Sequence, residues 1–191
     1  MKRGAAARLF AQRLAAEDIV VCGLGSTSRA WREQRAPHLT YYASDPMGMA
    51  PSLALGLALA RQERRIVLLE GDGDLVMNLG VLLTIAGAAP PNLRVAAFIN
   101  DRYETGGGQP LPNATRIAFA QIAAGAGWRW TGEAHDESQA PRLISGLLEV
   151  EGPGFLALHV EAEASPYPAD PGPTSQAEDR AAFQRRLLGG S

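Results

Sequence analysis

Short apolar runs alternate with longer stretches of helical character along this chain of 191 residues, and that alternation constrains its fold more than any other feature. Ile19–Cys22, Ile66–Leu69, Val95–Ile99 and Phe155–Val160 are of strand length and rich in Val, Ile, Leu and Phe. Runs that are apolar at consecutive positions, rather than every second one, suit strands buried on both faces. Between them, Pro51–Arg61, Leu75–Ala89, Arg116–Ala126 and Gln139–Glu149 read as helices, and Thr40–Ala43 as a short extended piece. Pro51 suits a first helical turn, Pro90-Pro91 stops the helix before it, and Gly125 and Gly127 end the next. Strands separated by helices predict an α/β fold: a doubly wound, mainly parallel sheet with helices on both faces.

The ends of the chain read differently. In MKRGAAARLFAQRLAAEDIV, Arg8, Gln12 and Arg13 interrupt the apolar stretch that a signal peptide needs. The segment reads as an amphipathic helix with Leu9, Phe10 and Leu14 inward and its arginines solvated. Ser165–Ser175 is Pro-rich and reads as an extended linker. Ser175 then caps a short terminal helix, Ala177–Leu188, anchored by Phe183, Leu187 and Leu188. The expected organisation is one domain over residues 1–164, followed by a linker and short helix over residues 165–191.

Composition removes several function classes. A hydrophobic share of 46% supports one real core. The net charge of -2 is spread along the chain without a Lys/Arg block, which argues against nucleic acid as a partner. No run of ~18 apolar residues is present to span a membrane. A lone cysteine, Cys22, excludes an internal disulfide framework, and its apolar neighbours predict a buried thiol. With neither signal peptide nor disulfides, the expected location is cytoplasmic. His38, His135 and His159 are far apart in sequence, which predicts no His-ligated transition metal, and Pro-flanked His38 reads as exposed. Trp31, Trp128 and Trp130 read as packing or interface residues. Gly23-x-Gly25-x-x-Ser28 lacks the third glycine of a dinucleotide fingerprint and reads as a plain turn.

The stretch from Ile66 to Gln109 carries the chemistry. A strand ends at Glu70, meets Gly71-Asp72-Gly73-Asp74, and a helix follows. Strand, glycine turn and helix N-terminus make an anion site, because backbone N–H groups and the helix dipole face the ligand. Alone, the turn reads equally as a simple tight turn. Asp72 inside it would repel a phosphate unless a divalent cation lay between them, and Mg²⁺ takes oxygen ligands of this kind. The next strand ends at Asn100, 28 positions after Asp72. Carboxyl ends of neighbouring parallel strands lie side by side, so Asp72 and Asn100 are expected to converge on one ion.

This constellation resembles the motif of thiamine-diphosphate-dependent decarboxylases, in their C-terminal diphosphate-binding domain, which begins Gly-Asp-Gly and ends in an Asn pair. The likeness is closest to sulfopyruvate- and phosphonopyruvate-decarboxylase-like members. It extends in order through Val20-Val21-Cys22, Ser28-Arg29, Met47-Gly48-Met49-Ala50 and Gly56-Leu57-Ala58-Leu59-Ala60. It continues through Met77-Asn78-Leu79-Gly80 to Asn100, Tyr103 and Gly107-Gly108-Gln109-Pro110, and fades near Val160. The resemblance implies the thiamine-diphosphate-binding fold, with thiamine diphosphate and Mg²⁺ as cofactors. The implied metal ligands are Asp72, Asn100 and the carbonyl of Arg102; Ile99 stands where the family has the first Asn or Asp of its pair.

Further roles come with the resemblance. Met47 matches the residue wedged under the thiazolium, and Ser44, Asp45 and Pro46 would line the aminopyrimidine, although Gly-Ser more often precedes the Met. Gly71, Asp72, Gly73, Asp74, Tyr103 and Glu104 belong to the implied cofactor cradle, with amides of Gly73, Asp74 and Leu75 toward the diphosphate. Asn78 either contacts the diphosphate or packs locally. Gly106-Gly107-Gly108-Gln109 replaces Thr-Gly-Gly-Gln in a loop implied to close over the site, and Gln109 is the chain's own candidate catalytic residue. The activating glutamate is implied to reside on a separate pyrimidine-binding, alpha-type subunit, giving a hetero-oligomer built on dimers. The implied activity is that of a lyase, decarboxylating a small 2-oxo acid with a second anionic group, for which Arg29, Arg32 and Arg102 are anion partners. An acetolactate-synthase-like carboligase half, or a regulatory subunit that has lost the cofactor, are the alternatives.

Overall fold

The structure is a computed structural model and describes residues 1–44, 46–163 and 176–189. Asp45 and the Ser165–Ser175 linker with its capping Ser175 lie outside the described residues. In chain order the elements are α1 (Arg3–Ala11), β1 (Ile19–Cys22), α2 (Ser26–Glu33), β2 (Leu39–Tyr42), α3 (Ala50–Ala60) and β3 (Ile66–Gly71). Next come α4 (Asp72–Val76), α5 (Val81–Ala88), β4 (Leu93–Ile99), β5 (Arg102–Tyr103), a 3₁₀ turn (Glu104–Gly106) and β6 (Gln109–Pro110). The chain continues through α6 (Phe119–Ala126), β7 (Trp130–Ala134), α7 (Ala140–Glu149), β8 (Gly154–His159) and α8 (Gln176–Leu187).

Six strands form one parallel sheet in the order β2-β1-β3-β4-β8-β7, and β5 and β6 make a separate antiparallel ladder. Successive side chains of a strand point to opposite faces, so each apolar run feeds two cores. Ile19, Val21, Ile66, Leu68, Val95, Ala97 and Phe155 face one core with Ala54 of α3, Ile85 of α5 and Ala123 of α6. Val20, Cys22, Val67, Leu69, Ala96, Phe98 and Leu156 face the other, with Phe10 of α1, Trp31 of α2 and Ile144 of α7. Burial pushes the Cys22 thiol well above its ordinary range, leaving it a neutral core group. No helix among the described residues is long and apolar enough to cross a membrane.

Several elements depart from the sequence reading. The helix expected over Leu75–Ala89 is two helices, α4 beginning already at Asp72, separated by a turn at Met77–Gly80. Within that turn Asn78 donates its side-chain amide to the Gly48 carbonyl at 3.1 Å. The α6 helix starts at Phe119 rather than Arg116, after Asn113 and Thr115 adopt left-handed φ of 62° and 64°. The sequence reading lacks the short β5–β6 ladder with its 3₁₀ turn, and it lacks two longer elements. Helix α2 is polar, and edge strand β7 carries Thr, Gly and Glu rather than an apolar run. His38 is buried, not exposed, with its ring 6.0 Å from that of Trp31. At the C-terminus Phe183 is buried edge-on to Tyr41 at 5.3 Å, whereas Leu188 is exposed.

Trp128 ties the α5–α6 layer together. Its indole N–H donates to the Leu82 carbonyl at 3.0 Å in a buried setting, and its ring meets Phe155 edge-on at 5.5 Å. Trp128→Phe should cost about 1–2 kcal/mol, the usual size of a lost buried hydrogen bond. Urea unfolding measures it, and an unchanged midpoint would show that the bond contributes nothing.

Candidate active site

The chain passes from β1 outward to β2 and then returns to place β3 on the other side of β1. That reversal opens a crevice beyond the carboxyl ends of β1 and β3, where open α/β sheets bind ligands. A cavity of about 780 Å³ fills it. The turn after β1 and the start of α2 supply Leu24, Gly25, Ser26 and Thr27; the end of β3 and the first turn of α4 supply Gly71, Asp72, Gly73 and Asp74. The segment after β4 supplies Asn100, Arg102, Tyr103 and Glu104, while Met47, Arg29 and Gln109 close the sides.

Asp72 sits at the floor. One carboxylate oxygen accepts the Gly73 N–H at 2.8 Å; the other accepts those of Asn100 and Asp101 at 2.9 and 2.6 Å. Burial raises its pKa to about 6, against the pull of these three donors. The Asn100 side-chain oxygen accepts the Arg102 N–H at 3.1 Å. Gly73 is required by crowding: a Cβ there would lie 2.9 Å from the Tyr103 ring and 3.4 Å from the Arg102 carbonyl oxygen. The Asp72 carboxylate, the Asn100 amide and the Arg102 carbonyl therefore gather around one turn, and all three offer hard oxygen donors of the kind that hold small divalent cations.

Asp74 braces the cavity walls. Its carboxylate accepts the Gly48 N–H at 2.5 Å and the Leu24 N–H at 3.0 Å, tying the loops around Met47 and after β1 to the glycine turn. Beneath it lies Glu70, fully buried, whose carboxyl is pushed well above the usual range by burial and then by the charge of Asp74. Glu104 is held on the opposite wall. Arg3 grips both its oxygens, one at 3.2 Å, and the Asn100 side-chain amide donates to it as well.

Not every expected residue reaches the cavity. Ser44 and Pro46 lie outside its lining; Ser44 accepts a hydrogen bond from Arg180 at 3.2 Å, and Pro46 is exposed. Arg29 and Arg102 line the cavity, but Arg32 does not: its guanidinium stacks 3.6 Å from the Tyr42 ring centroid and pairs with Asp179. Asn78 packs on Gly48 and stays outside. Ile99 is buried in the core beside the α5–α6 layer. Conversely, Gly25, Ser26, Thr27 and Arg3 line the cavity although the sequence reading left them out. The first three were legible in principle, because a turn at the carboxyl end of the strand beside β3 must face the same crevice. Arg3 carried no such signal; a basic residue in an amphipathic N-terminal helix looks solvated, yet this one is 2% exposed.

Comparison with known proteins agrees with this geometry. The family model described as "Thiamine pyrophosphate enzyme, C-terminal TPP binding domain" matches residues 23–158, which span the cavity loops after β1, β3 and β4. The sulfopyruvate decarboxylase subunit beta of Methanothermobacter thermautotrophicus is 45% identical over 145 residues, covering 76% of this chain and 75% of that one. Phosphonopyruvate decarboxylase of Streptomyces hygroscopicus is 31% identical over 143 residues, 74% of this chain but 35% of that one. The crystal structure of benzoylformate decarboxylase from Polynucleobacter necessarius superposes with a TM-score of 0.74 at 17% identity, over 85% of this chain and 34% of that one, a likeness of fold. A doubly wound sheet, a cavity at its switch point and the Gly71–Asn100 constellation thus carry one assignment: the chain belongs to the thiamine pyrophosphate enzymes, as their C-terminal, thiamine-pyrophosphate-binding domain.

Proposed function

We propose that this chain is the diphosphate- and Mg²⁺-binding subunit of a heteromeric thiamine-diphosphate-dependent decarboxylase acting on a small 2-oxo acid of the sulfopyruvate or phosphonopyruvate type. What supports the reading is that Asp72, Asn100 and Arg102 line one cavity at the switch point of a chain 45% identical over 145 residues to a sulfopyruvate decarboxylase beta subunit. The residues fit the cofactor in three respects. The donor set is all oxygen, which suits Mg²⁺. The Ser26 hydroxyl is buried in the cavity lining with no hydrogen-bond partner among the described residues, as expected of a group that awaits a ligand. Gly25, at φ 73° and close against Thr105, leaves the loop after β1 without a side chain where a diphosphate would approach.

When bound, thiamine diphosphate supplies the thiazolium carbon that attacks the 2-oxo carbon and the ring that takes up the electrons released with carbon dioxide. The protein's own residues do the positioning. Asp72, Asn100 and the Arg102 carbonyl hold the metal, while Gly71, Gly73, Asp74, Tyr103 and Glu104 form the cradle around it. Met47 would support the thiazolium from the loop that Asp74 anchors, whereas Ser44 and Pro46, outside the cavity lining, are given no aminopyrimidine contact. Arg29 and Arg102 offer cations to the second acidic group of the substrate, and Gln109 lies on the loop at the cavity mouth. The activating glutamate belongs to an alpha-type, pyrimidine-binding subunit. Glu104 is unsuited to that task, because Arg3 and Asn100 already hold it. The beta-subunit naming of the relative, and the 35% of phosphonopyruvate decarboxylase that this chain spans, support a divided enzyme.

Calorimetric titration of Mg²⁺-thiamine diphosphate into the chain, alone and with a pyrimidine-domain subunit encoded beside it, tests the proposal. Binding should appear or tighten with the partner, and the mixture should release carbon dioxide from sulfopyruvate or phosphonopyruvate. Condensed products without net aldehyde would favour a carboligase. No binding in either arm would overturn the reading in favour of a regulatory subunit.

A further inference from the structure

The fold brings together, away from the cofactor cavity, two histidines that are 24 residues apart in sequence. Glu133 is the penultimate residue of β7, and His135 follows the end of that strand. Residues two apart on a strand share a face, so Glu133 and His135 project together. In the neighbouring strand Ala157 pairs with Glu133, and His159, two residues on, lies on the same face at the carboxyl end of β8. The three side chains meet there. His159 Nε2 is 2.8 Å and His135 Nε2 4.0 Å from Glu133 Oε1, and the ligand atoms all lie within 4.8 Å of one another. The imidazole rings stack with centroids 4.5 Å apart.

We propose that Glu133, His135 and His159 form a second metal site, specific for a divalent transition ion of the Zn²⁺ class. Two imidazoles and one carboxylate are a recurrent three-ligand set for zinc. With metal–ligand bonds of about 2.0–2.1 Å, ligand atoms of a tetrahedral site sit about 3.3 Å apart, and the 2.8 and 4.0 Å separations bracket that value. His135 is exposed while Glu133 and His159 are half-buried, so the ion is entered from solvent and its fourth position falls to water. The imidazoles exclude Mg²⁺, which prefers oxygen ligands. The site is therefore chemically orthogonal to the one around Asp72. It clasps edge strand β7 to β8, and it does so independently of whether the cofactor cavity is functional.

Zn²⁺ titration of the full chain, with excess Mg²⁺ present, tests the site. One Zn²⁺ should bind per chain, and about a hundredfold excess over Kd should raise Tm by roughly 5–10 °C. Co²⁺ in its place should give the intense visible absorption of a four-coordinate ion. His135→Ala removes an exposed ligand with little risk to the fold and should weaken binding at least about tenfold, the low end for disturbing a metal site; His159→Gln and Glu133→Gln should do the same. Each variant is compared by Tm in the presence of a chelator. Zn²⁺ binding that survives these substitutions but disappears in Asp72→Asn would overturn the proposal, as would no Zn²⁺ signal at stoichiometric concentration.

Discussion

Asp72→Asn is expected to lower the affinity of the assembled enzyme for Mg²⁺-thiamine diphosphate by at least about 100-fold, since even partners of metal ligands typically contribute up to that factor. The substitution keeps the shape and removes the charge. It also places an NH₂ group against backbone donors whichever way the amide turns, because one oxygen serves Gly73 and the other serves Asn100 and Asp101. An unmatched donor pair costs about 1–3 kcal/mol. Acting the other way, the neutral amide escapes the burial that raises the Asp72 pKa to about 6. The two effects on stability oppose, so the loss should appear in cofactor binding far more than in Tm. Titration calorimetry and thermal unfolding on the same sample separate them. Retained affinity would remove Asp72 from the metal site.

A second large effect should follow from Gly48→Ala. Gly48 has φ 84°, and a Cβ there would lie 2.8 Å from Asn78 Cβ and 3.0 Å from the Asn78 backbone nitrogen. Left-handed backbone costs a non-glycine residue about 1–2 kcal/mol, and overpacking adds about 1–3 kcal/mol. The chain should lose about 2–5 kcal/mol in urea unfolding on the sum of these terms. Because the Gly48 N–H is held by Asp74, the strain should also displace Met47 and weaken cofactor binding. Gly56→Ala is the control: inside α3, with nothing within 4 Å of the new methyl, it should be neutral or stabilise by up to about 1 kcal/mol. Equal effects at the two positions would contradict this account.

Legibility in the sequence followed burial. Strands β1, β3, β4 and β8 announce themselves because both their faces are covered, so each is a continuous apolar run. Strand β7 lies at the sheet edge, and its mixed residues leave no such mark. The Gly71–Asn100 constellation was legible because its chemistry is local: a glycine turn and a strand end at fixed spacing. Arg3 was hidden for the opposite reason. Its partner Glu104 is 101 residues away, and only the packing of α1 beneath the cavity brings the two together. His135 and His159 stand far apart in sequence, and the parallel pairing of β7 with β8 cancels that distance. Glu70 and Asp74 sit in plain view in the motif, but nothing in the sequence shows their carboxyl groups meeting beneath Gly23, where a Cβ would lie 1.8 Å from Glu70.

The strand order also sets a sequence of events during folding. No two neighbours in the main sheet are joined by a hairpin; each pairing waits for a crossover, and β4 must wait for β8, pairing Arg94 with Gly154. Non-local parallel pairings of this kind form slowly, because chain entropy is lost before the contacts repay it. Yet β1, β2, β3 and β4, with the loops that bear Ser26, Asp72 and Asn100, are contiguous in both sequence and sheet. On a ribosome these four strands emerge first and can pair with one another while β7 and β8 are still being made. The cavity walls are thus laid down early, and the last strands seal a sheet whose ligand-binding edge is already in place.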